Sequence, residues 1–128
     1  PRTLLGMQTN RFPHFYTIVG PHNAASFCNI PRCIEQNVEW INGAVKHMRD
    51  NGYEYMEATV QAEDDWTKHV YDAAQETLFP TVDSWFMNVN RNLPEKKKTF
   101  LLYTGGNPYY RQRCDEIAAT NYEGFELR

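Results

Sequence analysis

The chain has 128 residues, with 13 Lys and Arg against 16 Asp and Glu, for a formal net charge of -3. Apart from Lys96-Lys97-Lys98 the basic residues are scattered, so no basic stripe forms and nucleic acid is not an expected partner. No apolar run approaches the roughly 18 residues of a spanning helix, and no charged-then-apolar leader opens the chain, so no membrane association and a cytoplasmic location are expected.

Residues 1–13, with Pro1, Gly6 and Pro13, read as irregular. Phe15 to Val19 is a short β-prone run ending at Gly20-Pro21, and it reads as a buried strand. Some ten small and polar residues follow before a helix begins. Asn29 is placed to cap that helix, and Pro31 suits its first turn. Ile34, Val38, Ile41, Val45 and Met48 recur at steps of three and four, which predicts one apolar helix face. Cys33, Trp40 and Ala44 widen it, and Asn51-Gly52 is a stop signal.

Met56 to Val60 reads as a short strand, and a second helix is predicted from about Gln61 to Leu78, closed by Pro80. Glu63-Asp64-Asp65 falls in its first turn, where the helix dipole favours negative charge, and reads as a solvated face. Residues 81–98 have no clean period and read as a long loop carrying Trp85. Phe100 to Tyr103 reads as a strand stopped by Gly105-Gly106, and residues 109–120 as a third helix with Tyr110, Cys114 and Ile117 on one face. The expected class is α+β, mainly helices with a few short strands.

Cys28, Cys33 and Cys114 fit no zinc spacing and read as reduced thiols, and the four histidines form no ligand pair, so no metal is assigned. There is no G-x-G-x-x-G, no P-loop and no G-x-S-x-G. Aromatic residues make up 14% of the chain, and many lie in loop-like stretches. Either the loops fold over the chain's own helices, or these rings met another part of a larger protein.

The blocks "FPHFYTIVGPHNAASFCNIPRCIEQNVEWI", "QAEDDWTKHV", "ETLFPTVDSWF", "LLYTGGNPYYRQRCDEIAA" and "YEGF" resemble, in order and spacing, the C-terminal part of type I Baeyer–Villiger monooxygenases. The resemblance runs from about Phe12 to Phe125. It implies the C-terminal part of a flavoprotein with two dinucleotide-binding domains. The end of the FAD-binding domain would span about 1–52, followed by a helical and loop region over about 53–128. It further implies FAD and NADPH as cofactors, and a ketone and molecular oxygen as substrates that become an ester or lactone. The family's glycine motifs and active-site arginine are absent from these residues. No catalytic residue is therefore assigned, the remainder of the flavoprotein is an implied partner, and the segment alone is expected to be inactive. The alternative is a free-standing, non-catalytic α+β domain derived from such an enzyme.

Carried over by position, Gly20, Pro21, Asn29 and Ile30 would meet the flavin, whose reduced form carries negative charge that suits a helix N-terminus. Ser26, Phe27 and Cys28 would line the ketone pocket, although Phe27 also reads as a core ring and Cys28 as a packing residue. Trp85 and Lys96 would reach NADP, against a core tryptophan and a solvated lysine run. Here the loop departs from the family, with Asn88 and Glu95 where glycine is usual, which removes easy positive-φ positions.

Overall fold

The computed structural model describes residues 1–90, 92–94 and 98–128, with nothing said of the side chains of residues 25 and 26. Three helices carry it: α1 (Ile30–Asn51), α2 (Val60–Gln75) and α3 (Asn107–Ala119). Two short strands, β1 (Met56–Ala58) and β2 (Phe125–Leu127), pair antiparallel with Glu57 opposite Glu126. Single 3-10 turns occupy Ala24–Phe27, Phe79–Thr81 and Trp85–Met87.

Helix α1 starts and stops where its sequence signals lie. The Asn29 side chain accepts from the Arg32 N–H, Pro31 takes a first-turn position, and Gly52 closes the helix at φ 72°. Its orientation differs from the expectation. The buried face is Cys33, Gln36, Asn37, Trp40, Ala44 and Met48. Ile30, Ile34, Val38 and Val45 are exposed along the flank beside it, with Ile41 half-buried between. The helix is thus apolar beyond its buried strip: of the residues read from the sequence, Cys33, Trp40, Ala44 and Met48 are buried, while Ile34, Val38 and Val45 are uncovered.

Helix α2 is capped by Thr59, whose hydroxyl accepts from the Ala62 N–H at 3.2 Å, and its acidic run divides. Asp64 and Asp65 are exposed, but Glu63 is buried and organises the N-terminal segment. It accepts from the Thr9 hydroxyl at 2.7 Å and the Asn10 N–H at 3.0 Å, and lies 3.5 Å from Arg2 Nε. A solvated reading of Glu63 is therefore corrected: charge-assisted bonds offset its burial.

Two predicted strands are not formed. Residues 15–19 are irregular, Phe15 and Ile18 point outward, and Val19 stands at φ 57°. A strand needs a neighbour for its backbone groups. Among the described residues this run has only single bonds, such as Thr17 N–H to the Met7 carbonyl at 2.7 Å. Residues 100–103 are also outside any sheet, though Phe100, Leu102 and Tyr103 are buried. Leu101 donates to the Phe86 carbonyl at 3.0 Å and accepts from the His22 N–H at 2.8 Å. The outer edge of β1 is covered by the buried Gln8 side chain, which accepts from the Ala58 N–H and donates to the Met56 carbonyl.

One phenol ties these layers together. The Tyr110 hydroxyl, on α3, donates to the Leu5 carbonyl at 2.7 Å and accepts from Asn23 Nδ2 at 2.7 Å. Asn23 also donates to Asn37 Oδ1 on α1, which accepts the Val19 N–H as well. Tyr110→Phe leaves the Leu5 carbonyl and the Asn23 amide without their buried partner. It should lower unfolding stability by about 1–3 kcal/mol in urea titration, and an unchanged midpoint would contradict that role.

Buried His22 links the N-terminus to the 100–103 segment. Its Nε2 is 3.1 Å from the Phe100 carbonyl, so that nitrogen carries the proton, and Nδ1 is 3.3 Å from the Thr3 hydroxyl. Burial lowers its pKa from 6.5 to about 4. Between those values the unfolded chain binds a proton that the folded chain refuses, so this stabilisation is complete above pH 6.5 and lost as pH falls towards 4. His22→Gln should be less stable than wild type at pH 7. The gap should shrink on acidification by at most about 3 kcal/mol; a gap independent of pH would refute this assignment.

Candidate functional site

The segment between Gly20 and Asn29 is held from beneath and left open above. A Cβ at Gly20 would overlap Thr17 Oγ1 and the Gly6 carbonyl oxygen, so the two glycine-bearing turns pack backbone to backbone. His22, Asn23 and Ala24 are buried. Phe27, Asn29, Ile30 and Pro21 are exposed, Cys28 is half-buried, and Gly20 lies between. The rigid middle of the turn therefore presents its two ends on the surface.

At the helix start the supply of N–H donors is narrower than a bare terminus offers. Arg32 spends its N–H on the Asn29 side chain, Cys33 on the Asn29 carbonyl at 3.1 Å, and Pro31 has none. Among the described residues the backbone N–H groups of Asn29 and Ile30 have no partner. Two adjacent donors at the positive end of a 22-residue helix suit a carbonyl or anionic oxygen.

Phe27 is 52% exposed, so it is not a core ring, but it is anchored. Its ring lies 6.0 Å from Phe79, Phe79 lies 5.4 Å from Phe86, and Phe86 lies 5.6 Å from Trp85. Phe79 also packs at 5.7 Å on buried Phe100. This ladder joins the turn before α1 to the 81–90 loop, two segments that sequence spacing leaves unrelated. Trp85 stands at its outer end, 74% exposed, which excludes a core tryptophan. Next to it, Asn88 takes φ 53° and donates its N–H to the Trp85 carbonyl at 2.8 Å. Asn tolerates that conformation, so glycine is not required there. Lys96 lies outside the described residues, as does the Ser26 side chain.

Cys28 and Cys33 lie against each other at the start of α1, with Cα atoms 6.9 Å apart, and Cys114 is buried as a free thiol. The turn brings Cys28, one residue before the cap, over the first helical turn, a proximity that linear spacing does not reveal. Among the described residues no group of three His, Cys, Asp or Glu side chains is gathered as a metal site would require, and no helix is long and apolar enough to cross a membrane.

A separate cleft of about 440 Å³ lies between α2, α3 and the C-terminal tail, lined by Trp66, His69, Tyr109 and Arg113 among others. It contains none of the residues assigned from sequence. His69 Nε2 lies 2.9 Å from the Tyr103 hydroxyl, and burial lowers the histidine's pKa. The signal for this cleft was visible as aromatic residues at helical spacing, but the same pattern describes an ordinary core.

No family model matches the chain. Over 99% of its length it is 40% identical to 2-oxo-Δ3-4,5,5-trimethylcyclopentenylacetyl-CoA monooxygenase of Pseudomonas putida, of which it spans 24%. It is 35% identical over its whole length to cyclohexanone 1,2-monooxygenase of an Acinetobacter species, spanning 23% of that protein. In three dimensions the whole chain superposes on 23% of the crystal structure of OTEMO in complex with FAD and NADP, with a TM-score of 0.89 and 39% identity. The chain thus spans about a quarter of the relatives it matches. From end to end, in both sequence and fold, the chain is similar to a quarter-length segment of these monooxygenases.

Proposed function

We propose that this chain is the C-terminal segment of an FAD- and NADPH-dependent Baeyer–Villiger monooxygenase, which inserts an oxygen atom next to a ketone carbonyl to give an ester or lactone. The observation that carries this reading is the end-to-end superposition on a monooxygenase crystallised with FAD and NADP. In the intact enzyme the bound cofactors supply the reducing equivalents and the activation of molecular oxygen. The segment supplies part of the walls.

In this reading Asn29 and Ile30 direct their unspent N–H groups at an electron-rich edge of the flavin, and Gly20-Pro21 shape the approach. The exposed ends of a rigid turn support that role, because a donor aimed at developing charge must not have to reorganise. Ser26, Phe27 and Cys28 form the ketone-facing turn. Trp85 closes towards NADP, its indole giving one donor and a large apolar area, and Lys96 adds a charge for a phosphate. The exposed stripe Ile30, Ile34, Val38 and Val45 is covered by the remainder of the flavoprotein. The end of the FAD-binding part falls at about Gly52, where α1 stops. A cytoplasmic location belongs to the same reading.

The test uses the full-length protein. Purified material should carry FAD, and its NADPH oxidation should depend on added ketone and yield ester or lactone by mass spectrometry. FAD-free protein, or NADPH oxidation indifferent to every ketone tried, would favour the alternative of a non-catalytic derivative. Trp85→Ala should raise KM for NADPH several-fold more than KM for the ketone, whereas equal changes would point to a structural role. Phe27→Ala should admit bulkier ketones, and an unchanged substrate profile would remove that ring from the pocket.

A further inference from the structure

The cleft between α2 and α3 holds chemistry that the flavin, ketone and NADP readings leave unused. Ala62, Asp65, Trp66 and His69 share one face of α2, and Tyr109, Arg113 and Ile117 recur at steps of four along α3. At one end the rings of Trp66, His69 and Tyr109 follow one another with centroids 5.4 Å apart. At the other end the lining is apolar, with Ala62, Ile117 and Gly124. The volume of about 440 Å³ falls within the roughly 300–1,000 Å³ of small-molecule sites.

Three donors line this cleft and lack an acceptor among the described residues. Trp66 is 5% exposed, and its indole N–H is buried without a partner, a state that folded proteins rarely leave. Tyr103 and Tyr110 pack on the same ring at 5.0 Å and 6.0 Å and hold it in place. The Tyr103 hydroxyl lies 2.9 Å from His69 Nε2, its partner among the described residues, so the phenol donates and the imidazole proton sits on Nδ1. Burial lowers the His69 pKa and keeps that ring neutral at pH 7. Arg113 gives Nη1 to Glu116 at 3.2 Å and keeps its other N–H groups. Against these donors stand two exposed carboxylates on the rim, Glu123 and Asp65, the latter already accepting from the Gln61 amide at 2.9 Å. Such a rim repels a ligand with several negative charges and tolerates one.

We propose that this cleft binds a small monocarboxylate with an apolar body. The carboxylate accepts from Arg113, from the His69 Nδ1–H and from the Trp66 N–H, and charge on the acceptor strengthens all three bonds. The hydrocarbon lies on Ala62 and Ile117. None of these residues is among those assigned to flavin, ketone or NADP, so the site stands whether or not the intact protein oxidises ketones.

Hexanoate, hexanamide and hexylammonium share a hydrocarbon chain and differ in charge, and they test the site by saturation-transfer NMR titration of the full-length protein. Hexanoate should bind more tightly than hexanamide, and hexylammonium should bind weakest of the three. Arg113→Gln should weaken hexanoate by about tenfold and leave hexanamide nearly unchanged. Trp66→Phe keeps a ring and loses the N–H, and should weaken hexanoate several-fold. If that buried variant does not fold, Arg113→Gln still decides, because its exposed ion pair with Glu116 adds little to stability. Three results would overturn the site. Hexylammonium binding at least as tightly as hexanoate would make the rim acids the recognising groups. Hexanoate binding unchanged in Arg113→Gln would place the acid elsewhere, and no binding at millimolar hexanoate would mean that the intact protein closes the cleft.

Discussion

The fold depends on the buried hydroxyl of Tyr110. Four chain segments converge on it and its two asparagine partners: the N-terminal loop through Leu5, the turn through Asn23, α1 through Asn37, and α3 through the tyrosine itself. None of these segments shares a sheet with another, so no backbone ladder holds them in register. A network of this kind is worth most when every member is satisfied, because the low dielectric that strengthens it also punishes a vacancy. Here both Asn23 amide hydrogens and Asn37 Oδ1 are used, and the turn before α1 inherits its fixed position from them.

That rigidity explains how a stretch without regular structure can serve as a wall. The buried centre, from His22 to Ala24, is tied to Thr3, Phe100 and Tyr110. The exposed ends, Gly20-Pro21 and Phe27 to Ile30, carry the groups that meet ligands in our reading. The aromatic ladder from Phe27 to Trp85 extends the same wall sideways, and Phe79 on Phe100 roots it in the core. Aromatic pairs of this geometry add about 0.5–1.5 kcal/mol each beyond their burial.

Helix α1 serves two hydrophobic environments at once. Its inner face packs against the chain's own core through Trp40, whose indole donates to the Cys114 carbonyl at 2.9 Å, and through Ala44 and Met48. Its outer stripe of branched aliphatics has no cover here. A solvent-facing helix side would carry charge, as the exposed sides of α2 do with Lys68 and Asp72. The far side of α1 does carry such charges, in Glu35, Glu39, Lys46 and Arg49, so the uncovered aliphatic stripe is confined to one flank.

The local signals set both ends of α1, and placed α2 and α3 with ends up to three residues off, because caps, prolines and stop glycines act through the first and last turn alone. The likeness to the Baeyer–Villiger monooxygenases was legible too, since several motifs in fixed order carry it. Only the tertiary structure decided which face of α1 is buried, because an amphipathic pattern identifies an apolar side and not its partner. It also decided that residues 15–19 lack a sheet and that Glu63 is buried. The contacts of Cys28 with Cys33, and of Phe27 with Trp85 through Phe79 and Phe86, are likewise tertiary. In each case the deciding energy comes from a neighbour distant in sequence or from a sharp turn. No period or propensity along the chain records either of these.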